Sequence, residues 1–329
     1  LNNNQMELNE EFLKIKDLEK TTDKICEFIK DEISNKFQKK GAIVGLSGGV
    51  DSAVTMALCA KSLGYEQILG LIMPEKESSS SSQLLAKEVA KKFNVETKII
   101  DITQILESFG VYDIKEQIVK EKFPKFNIEC KYRVIVPPKS KNIVGIPFLE
   151  ILDENNERHK LKISSSDFLT LTAATSIKHR VRMTMLYFHA EKNNFSVVGT
   201  TNKSEYQQGY FVKYGDGGSD IEPLVNLYKS QIYQLGEFLK VPNQILSKEA
   251  SPDVWSFSTT DEEFFYSVPY QIVDLILYAR ENKLSIKDIQ KISDLSKEDI
   301  ESLVKIQNIK QVKSQHMREI PHSWMPDFT

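Results

Sequence analysis

The sequence predicts an α/β protein with a doubly wound parallel sheet, a β-rich insertion and a small helical cap towards its C-terminal end. Three observations carry this. Short apolar runs at 42–46, 68–73, 97–102 and 195–200 alternate with stretches of helical period. Such alternation is the pattern of parallel strands joined by crossover helices. A glycine-rich turn follows the first run directly, and Pro74, Asp101 and a polar Gly/Thr/Asn stretch follow the others, which places the polar groups at the carboxyl ends of strands.

In chain order, Leu8, Phe12, Ile15, then Ile25, Phe28, Ile29 and Ile33 recur at three- and four-residue spacing, with a break near Thr21-Thr22-Asp23 that predicts two helices within 1–40. The helix after the first strand begins with Val54, Ala57 and Leu58. The Ser78 to Ser82 tract is too short to separate domains and reads as an ordered loop near a ligand, followed by a helix from Leu84 to Phe93. Residues 111–165 differ in texture: Tyr132 to Val136, Pro137-Pro138, 143–152, and an Asn155-Asn156 turn before Leu161 predict a β-rich insertion. It serves either as a lid or substrate wall, or as a surface elaboration or oligomer contact. From Ser166 a helix returns through Ile177, Val181, Met185 and Phe188. Residues 270–282 and 285–307 are helical in period, with Ser285, Ser293 and Ser296 as capping residues. The domain reading is therefore N-terminal helices at 1–40, a main domain at 41–275 and a helical extension at 276–329. Trp255 and Trp324 read as packing residues, and His159, His179, His189 and His322 show no metal-ligand spacing.

The turn Leu46-Ser47-Gly48-Gly49-Val50-Asp51-Ser52-Ala53 is the first chemical signal. Paired glycines let the backbone approach a ligand, and the N–H groups of a helix start with the hydroxyls of Ser47 and Ser52 form an anion-binding concavity. No Lys closes the loop, so it is not the type that grips β and γ phosphates through a lysine. Ser-Gly-Gly-x-Asp-Ser resembles instead the pyrophosphate loop of the ATP pyrophosphatase group, which releases the outer two phosphates together. The second signal is Gly199 to Glu205 followed by Gly209-Tyr210 and Lys213 to Asp220, a run too polar and too rich in glycine for a core and suited to a triphosphate, a metal and a polar substrate.

Composition bounds the partners. With 329 residues, 40% hydrophobic and a formal charge of -3, the chain can bury a full core and is neither strongly basic nor acidic, so nucleic acid is not an expected partner. Cys26, Cys59 and Cys130 are too few and too scattered for a disulfide framework or a zinc site. The polar start Leu1 to Gln5, read as an added or unstructured end before Met6, and the lack of any apolar run near eighteen residues lead to the expectation of a soluble cytoplasmic protein that does not contact membrane.

Taken together, residues 41–110 and 166–275, with Gln315-His316-Met317-Arg318, resemble the NAD synthetases, which amidate the nicotinate carboxylate of deamido-NAD with ATP and ammonia. The landmarks are Gly45 to Ala53, Met73-Pro74, Arg180-Val181-Arg182-Met183, Gly199 to Glu205, Lys213 to Asp220, Pro223-Leu224 and Leu227-Tyr228-Lys229. The resemblance implies an adenine nucleotide alpha hydrolase-like fold. It implies ATP contacts at Leu46, Ser47, Gly48, Gly49, Val50, Asp51, Ser52, Ala53, Thr200, Lys229 and Ser251, the last a Thr in the usual pattern. Asp51 and Glu205 become ligands of Mg²⁺, Asp51 and Lys229 the catalytic pair, and Arg180, Lys213, Asp220 and His316 the contacts of the acid substrate. It further implies a homodimer, with ammonia free or from a separate glutamine amidotransferase.

Departures from the family pattern cluster on the acid side: Thr175-Ser176 for Gly-Asn, His179 for Ala, Val212 for Thr, Met317 for Lys, and Glu263-Phe264-Phe265-Tyr266 after Asp261-Glu262 without the usual Gly. Two readings follow, drift within a true NAD synthetase or the same adenylating chemistry on a different carboxylic acid. A tRNA-modifying enzyme on the same loop lacks support from a basic tail or paired cysteines. A non-catalytic nucleotide sensor is disfavoured by the intact Asp51, Glu205 and Lys229.

Overall fold

The computed structural model describes residues 10–136 and 146–324. Pro137, Pro138 and Leu8 lie outside them, as does the first part of the expected 143–152 run. Four parallel strands form the central sheet: β1 (Ala42–Gly45), β2 (Ile68–Ile72), β3 (Glu96–Ile99) and β7 (Ser196–Val198), in the order β3-β2-β1-β7. The pairings Val44↔Gly70 and Val44↔Val198 put β1 at the centre. Side chains alternate across the pleat. Ala42, Val44, Ile68, Ile72 and Val198 enter one core with α1 (Leu18–Lys30), α2 (Val50–Leu63), α3 (Ser80–Lys92) and, further on, α8 (Lys229–Phe238). Ile43, Leu69, Leu71 and Val197 enter a second core with α4 (Thr103–Ser108), α5 (Val111–Lys122) and the long α6 (Ser165–Asn193). Both faces are covered, as the alternating pattern predicts.

The strands end earlier than the apolar runs. Leu46, Met73 and Gly199-Thr200 leave the sheet at the carboxyl edge. Because β1 is followed by a crossover to β2 on one side while β7 arrives on the other, the loops after β1 and β7 part at a topological switch point. A crevice opens there.

Several expectations are corrected. Among the described residues, the N-terminal segment holds one 3-10 turn (Glu10–Leu13) and a helix that runs through Thr21-Thr22-Asp23 from Leu18 to Lys30 and continues as Asp31–Lys36. Asp17 is the true cap, accepting from the Lys20 N–H at 2.9 Å, and the Thr22 hydroxyl donates to the Leu18 carbonyl within the helix. Of the serine tract, Ser80 to Ser82 form the first turn of α3 and Ser79 is its N-cap position, so it is only partly the loop expected, while Ser78, Ser79 and Ser82 do line the cavity. The insertion begins as helix α5, and only then forms an antiparallel sheet of β4 (Lys131–Ile135), β5 (Phe148–Leu152) and β6 (Arg158–Lys162). Towards the C-terminus α10 (Tyr270–Glu281), α11 (Ile286–Ile292) and α12 (Lys297–Lys313) pack on one another, with Ser285 and Ser296 as N-caps. Ser293 is no N-cap, since its hydroxyl donates back to Ile289 at the end of α11. Trp255 is buried, but Trp324 is 84% exposed and packs no core. No helix among the described residues is long and apolar enough to cross a membrane.

One buried ion cluster joins the insertion to the main sheet. Lys115 of α5 and Lys178 of α6 are fully buried, and both donate to the Glu77 carboxylate and to the Val254 carbonyl, at 3.2 and 3.1 Å for the latter. Lys178 also reaches Glu75 at 2.7 Å, and the Tyr132 hydroxyl of β4 donates to Glu77 at 2.9 Å. Two buried lysines thus face two buried carboxylates, and deleting one partner strands a charge. We predict that Lys178→Met lowers unfolding free energy by about 3–5 kcal/mol in urea titration, whereas Lys36→Met, which removes a solvent-exposed ammonium, leaves the urea midpoint nearly unchanged.

Candidate functional site

The crevice is a cavity of about 850 Å³ between the carboxyl edge of the sheet, α6, and the 248–254 segment. Gly48 sits at φ +79°, and a Cβ there would lie 2.3 Å from the Ser82 carbonyl, so the turn passes under α3 only as glycine. The turn is preset by its serines: Gly49 donates to Ser47 Oγ at 3.2 Å, and Ser52 Oγ donates to the Gly49 carbonyl at 3.0 Å. The first turn of α2, whose leading N–H groups have no partner within the helix, lies on the cavity through Val50, Asp51 and Ser52. Leu46, Ser47, Gly49, Val50, Asp51 and Ser52 line the cavity, while Gly48 shapes the turn and Ala53 is buried in the core.

Asp51, Glu205 and Lys229 converge from three elements. Asp51 lies in the first turn of α2, Glu205 in α7 (Lys203–Gln208), and Lys229 at the start of α8. The Lys229 ammonium is ion-paired with Asp51 and lies 4.0 Å from Glu205. Asn202 ties these together. Its amide donates to Asp51 at 2.9 Å, while its side-chain oxygen accepts from the Glu205 N–H and its own N–H donates to the Glu205 carboxylate, a reciprocal helix cap. Burial, with the Asp51 charge beside it, pushes Glu205 well above the usual carboxylate range. Burial alone would lower Lys229, but the adjoining Asp51 and Glu205 outweigh it and hold its ammonium above the ordinary value. Two carboxylates crowded on one ammonium leave oxygen donors suited to a hard divalent cation.

The opposite side of the cavity is built by one face of α6, through Thr172, Thr175, Ser176, His179 and Met183, and by Val212, Lys213, Asp216, His316 and Met317. Arg180 donates to the Lys213 carbonyl at 3.3 Å, and Lys213 Nζ donates to the carbonyls of His316 at 2.7 Å and Glu319 at 3.2 Å. His179 Nδ1 is 3.4 Å from Asp216, yet burial outweighs that carboxylate and lowers its pKa. Aromatic residues Tyr210, Phe264 and Phe265 complete this wall, with Tyr210 and Phe265 stacked at 4.4 Å.

The sequence and the fold match known proteins. The sequence model described as NAD synthase matches residues 21–145 and 146–321 of the chain. The NH(3)-dependent NAD(+) synthetase of Rhizobium rhizogenes is 36% identical over 285 residues, which cover 85% of this chain and 84% of that protein. The chain belongs to the NAD synthase family. Among solved structures, the NMN synthetase from Francisella tularensis aligns with a TM-score of 0.66 at 25% identity over 95% of this chain and 100% of that one. The NH3-dependent NAD synthetase from Campylobacter jejuni aligns with a TM-score of 0.63 at 25% identity over 94% of this chain and 100% of that one.

Of the residues carried over from NAD synthetases, Thr200, Glu205, Lys229, Ser251, Arg180, Lys213 and His316 all line the one cavity. Asp220 does not. Its carboxylate accepts from the Val197 N–H at 2.8 Å and the Tyr187 hydroxyl at 2.9 Å, pinning β7 to α6. Of the positions that depart from the family pattern, Thr175, Ser176, His179, Val212, Phe264, Phe265 and Met317 line it too, whereas Glu263 pairs with Arg133 and Tyr266 is buried in the core under α10.

Sequence reasoning did not single out Asn202, Lys248, Asp253 or Glu222. Lys248 donates to Ser82 at 3.0 Å and Asp253 accepts from the Ser79 N–H at 3.1 Å, clipping the 248–253 segment to α3. The Asn-Lys-Ser-Glu cap signature could have revealed Asn202, but contacts across 166 and 174 residues leave no local trace. Glu222 accepts from Ser219 Oγ at 2.6 Å and the Thr201 N–H at 3.1 Å, joining the two loops after β7. Burial pushes it up to about 7. Between its ordinary value and about 7 the folded protein binds a proton that the unfolded chain does not, so this group's stability contribution is lost as pH rises through about 7. We predict that Glu222→Gln flattens the fall in urea midpoint between about pH 5 and 8, and that the variant gains on the parent above pH 7.

Proposed function

We propose that this chain is an ammonia-dependent NAD synthetase, joining ammonia to the nicotinate carboxylate of deamido-NAD with ATP cleaved to AMP and pyrophosphate. The observation that carries the reading is the convergence of Asp51, Glu205 and Lys229 at the mouth of a pyrophosphate-type loop. The family match and the names of the curated relatives support it.

The loop N–H groups, Ser47 and Ser52 take the outer two phosphates of ATP, with Thr200 and Ser251 at the nucleotide. Asp51 and Glu205 are the groups that would hold Mg²⁺; once bound, such an ion neutralises charge on the phosphates. Lys229, held charged by its carboxylate neighbours, serves as a fixed cation and not as a base. Arg180, Lys213 and His316 orient the acid so that a carboxylate oxygen attacks the α-phosphorus and pyrophosphate leaves. The nitrogen of ammonia then attacks the acyl carbon, loses a proton, and AMP departs with the bonding pair. Covalent catalysis by the protein is not needed.

A second acid is favoured by one observation: the residues that differ from the family pattern lie on the acid side of the cavity, and a neighbouring fold is that of an NMN synthetase. Nicotinate mononucleotide is therefore the alternative substrate. Comparing kcat/KM for the two acids in ammonia-dependent AMP formation decides between them, and failure of both would sink the proposal.

The chain works as a cytoplasmic homodimer. Phe188 on α6 and Tyr214, next in the chain to the cavity-lining Lys213, are exposed aromatic side chains available to a second copy. Light scattering after gel filtration is expected to give twice the monomer mass, and Phe188→Glu to shift it towards one.

Asp51→Asn and Glu205→Gln are each expected to cut turnover by roughly 10²–10³-fold with the circular dichroism spectrum unchanged. A rate within a few fold of the parent in either variant would contradict the metal assignment.

A further inference from the structure

The sheet of the insertion runs β4-β5-β6, so among the described residues one long edge of β4 pairs with no strand. An open edge leaves backbone N–H and C=O groups without partners, and something must cover them. Here the cover is the chain between Ser256 and Ser267. The Tyr132 N–H donates to Ser256 Oγ at 3.0 Å, and the Phe257 N–H to the Tyr132 carbonyl at 3.1 Å. Further along β4, the Val136 N–H donates to the Glu263 carbonyl at 3.0 Å and Ser267 Oγ to the Val136 carbonyl at 2.9 Å. Tyr132 and Val136 thus fix the two ends, and residues 258–262 span between them.

Arg133 holds that span. Its buried guanidinium donates from Nη1 to the Ser258 carbonyl at 2.7 Å and to the Glu263 carboxylate at 2.8 Å, and from Nη2 to the other Glu263 oxygen at 3.1 Å. Its Nε donates to Glu150 of β5 at 2.6 Å, and the group lies 4.5 Å from the centre of the Phe257 ring. A planar fork of fixed donors grips one carboxylate with two bonds while holding a second carboxylate and a carbonyl, which an ammonium cannot do. The far side of the same segment meets the cavity, since Asp261, Phe264 and Phe265 line it. There the Tyr210 hydroxyl donates to Asp261 at 2.8 Å and the Tyr210 ring stacks on Phe265 at 4.4 Å. Tyr210 leads directly into Val212 and Lys213, on the acid side of the cavity.

The neighbouring 248–254 segment is held by other groups: Lys248 on Ser82, Asp253 on the Ser79 N–H, and the Val254 carbonyl under Lys115 and Lys178. The Asp261 N–H, donating to the Ala250 carbonyl at 3.0 Å, joins the two segments. The wall therefore has two clips, one beside Ser251 and one, built by the insertion, beside Tyr210. We propose that Arg133 is a positioning residue for the acid substrate: through it the insertion holds residues 258–265 so that Asp261, Phe264 and Phe265 stand at the cavity before the acid binds. The role is indirect, because Arg133 does not itself line the cavity. The assignment rests on the ligase reading above and gives the insertion a task in acid binding that ATP binding does not share.

The test uses the full chain, with deamido-NAD and nicotinate mononucleotide as acids and ammonium saturating. Arg133→Met removes the fork. Glu263→Gln, on an exposed side chain, removes one partner's charge and keeps an oxygen for the Thr260 N–H that Glu263 accepts from at 3.1 Å. In Arg133→Met, KM for the acid that the parent turns over is expected to rise at least about tenfold, with kcat changed less than about threefold and KM for ATP less than about twofold. Glu263→Gln raises the same KM about threefold and adds nothing in the Arg133→Met background, as one coupled pair requires. Arg133→Lys, which keeps the charge without the fork, falls between the parent and Arg133→Met. Amide exchange read by mass spectrometry quickens over 256–265 and not over 248–254 in Arg133→Met. A role confined to stability moves the urea midpoint and leaves the ratio of the two KM values alone. A folded Arg133→Met with acid KM unchanged, or with KM for ATP raised as much as that for the acid, overturns the inference and leaves the ligase reading intact. Should Arg133→Met fail to fold, an unchanged acid KM in Glu263→Gln overturns it. A parent that turns over neither acid sinks the ligase reading, and the inference with it.

Discussion

The pairing of Lys229 with Asp51 and Glu205 is the constraint on which the site depends. It gathers the first turn of α2, the cap of α7 and the start of α8 at the point where the loops after β1 and β7 diverge. Groups of mixed sign so close are tolerable because Lys229 lies between the carboxylates and Asn202 donates to each of them, from its side-chain amide to Asp51 and from its N–H to Glu205. The same crowding that raises Glu205 makes the cluster receptive to one more positive charge, so the fold stores a binding preference in its electrostatics before any ligand arrives.

A second set of charges performs a different task. The Lys115, Lys178, Glu75 and Glu77 cluster holds the insertion, α6 and Val254 to the loop after β2. Since α6 forms one side of the cavity, this cluster sets the position of Thr175, Ser176 and His179 relative to the phosphate loop. Buried ion pairs contribute little net stability compared with apolar packing, but their geometry is demanding, and that makes them suited to fixing one arrangement of three segments. The insertion is thereby part of the wall's support, through Tyr132 and Lys115, and not a detached appendage.

Much of the fold was legible locally. The alternation of apolar runs with helical stretches placed the four strands of the central sheet, and for β1, β2 and β7 the reason is that parallel strands buried on both faces need continuous apolar sequence, whereas β3 is a largely exposed edge strand whose run starts beside it. Errors fell where local signals compete. Thr21-Thr22-Asp23 reads as a cap, yet Thr22 bonds back to Leu18 and its neighbours pack on the sheet, so the helix continues. The serine tract reads as a loop, but serines serve equally at a helix start when the following turn packs under a glycine such as Gly48. Val111–Lys122 was hidden in a stretch judged by the strands behind it.

The sequence by itself determined the glycine-serine turn at 46–53, the strand order's raw material and the family, since glycine spacing, hydroxyls and acidic residues in short motifs carry their signal within a few residues. Tertiary structure alone decided which groups share the cavity. Arg180, Lys213, Lys310 and His316 meet Asp51 and Lys229 because a topological switch and a helix of 29 residues bring distant segments to one crevice. Asp220 was drawn to a backbone N–H of β7 instead, for the same reason. Charge pairing and burial are properties of neighbours in space, and a chain read in order does not contain them.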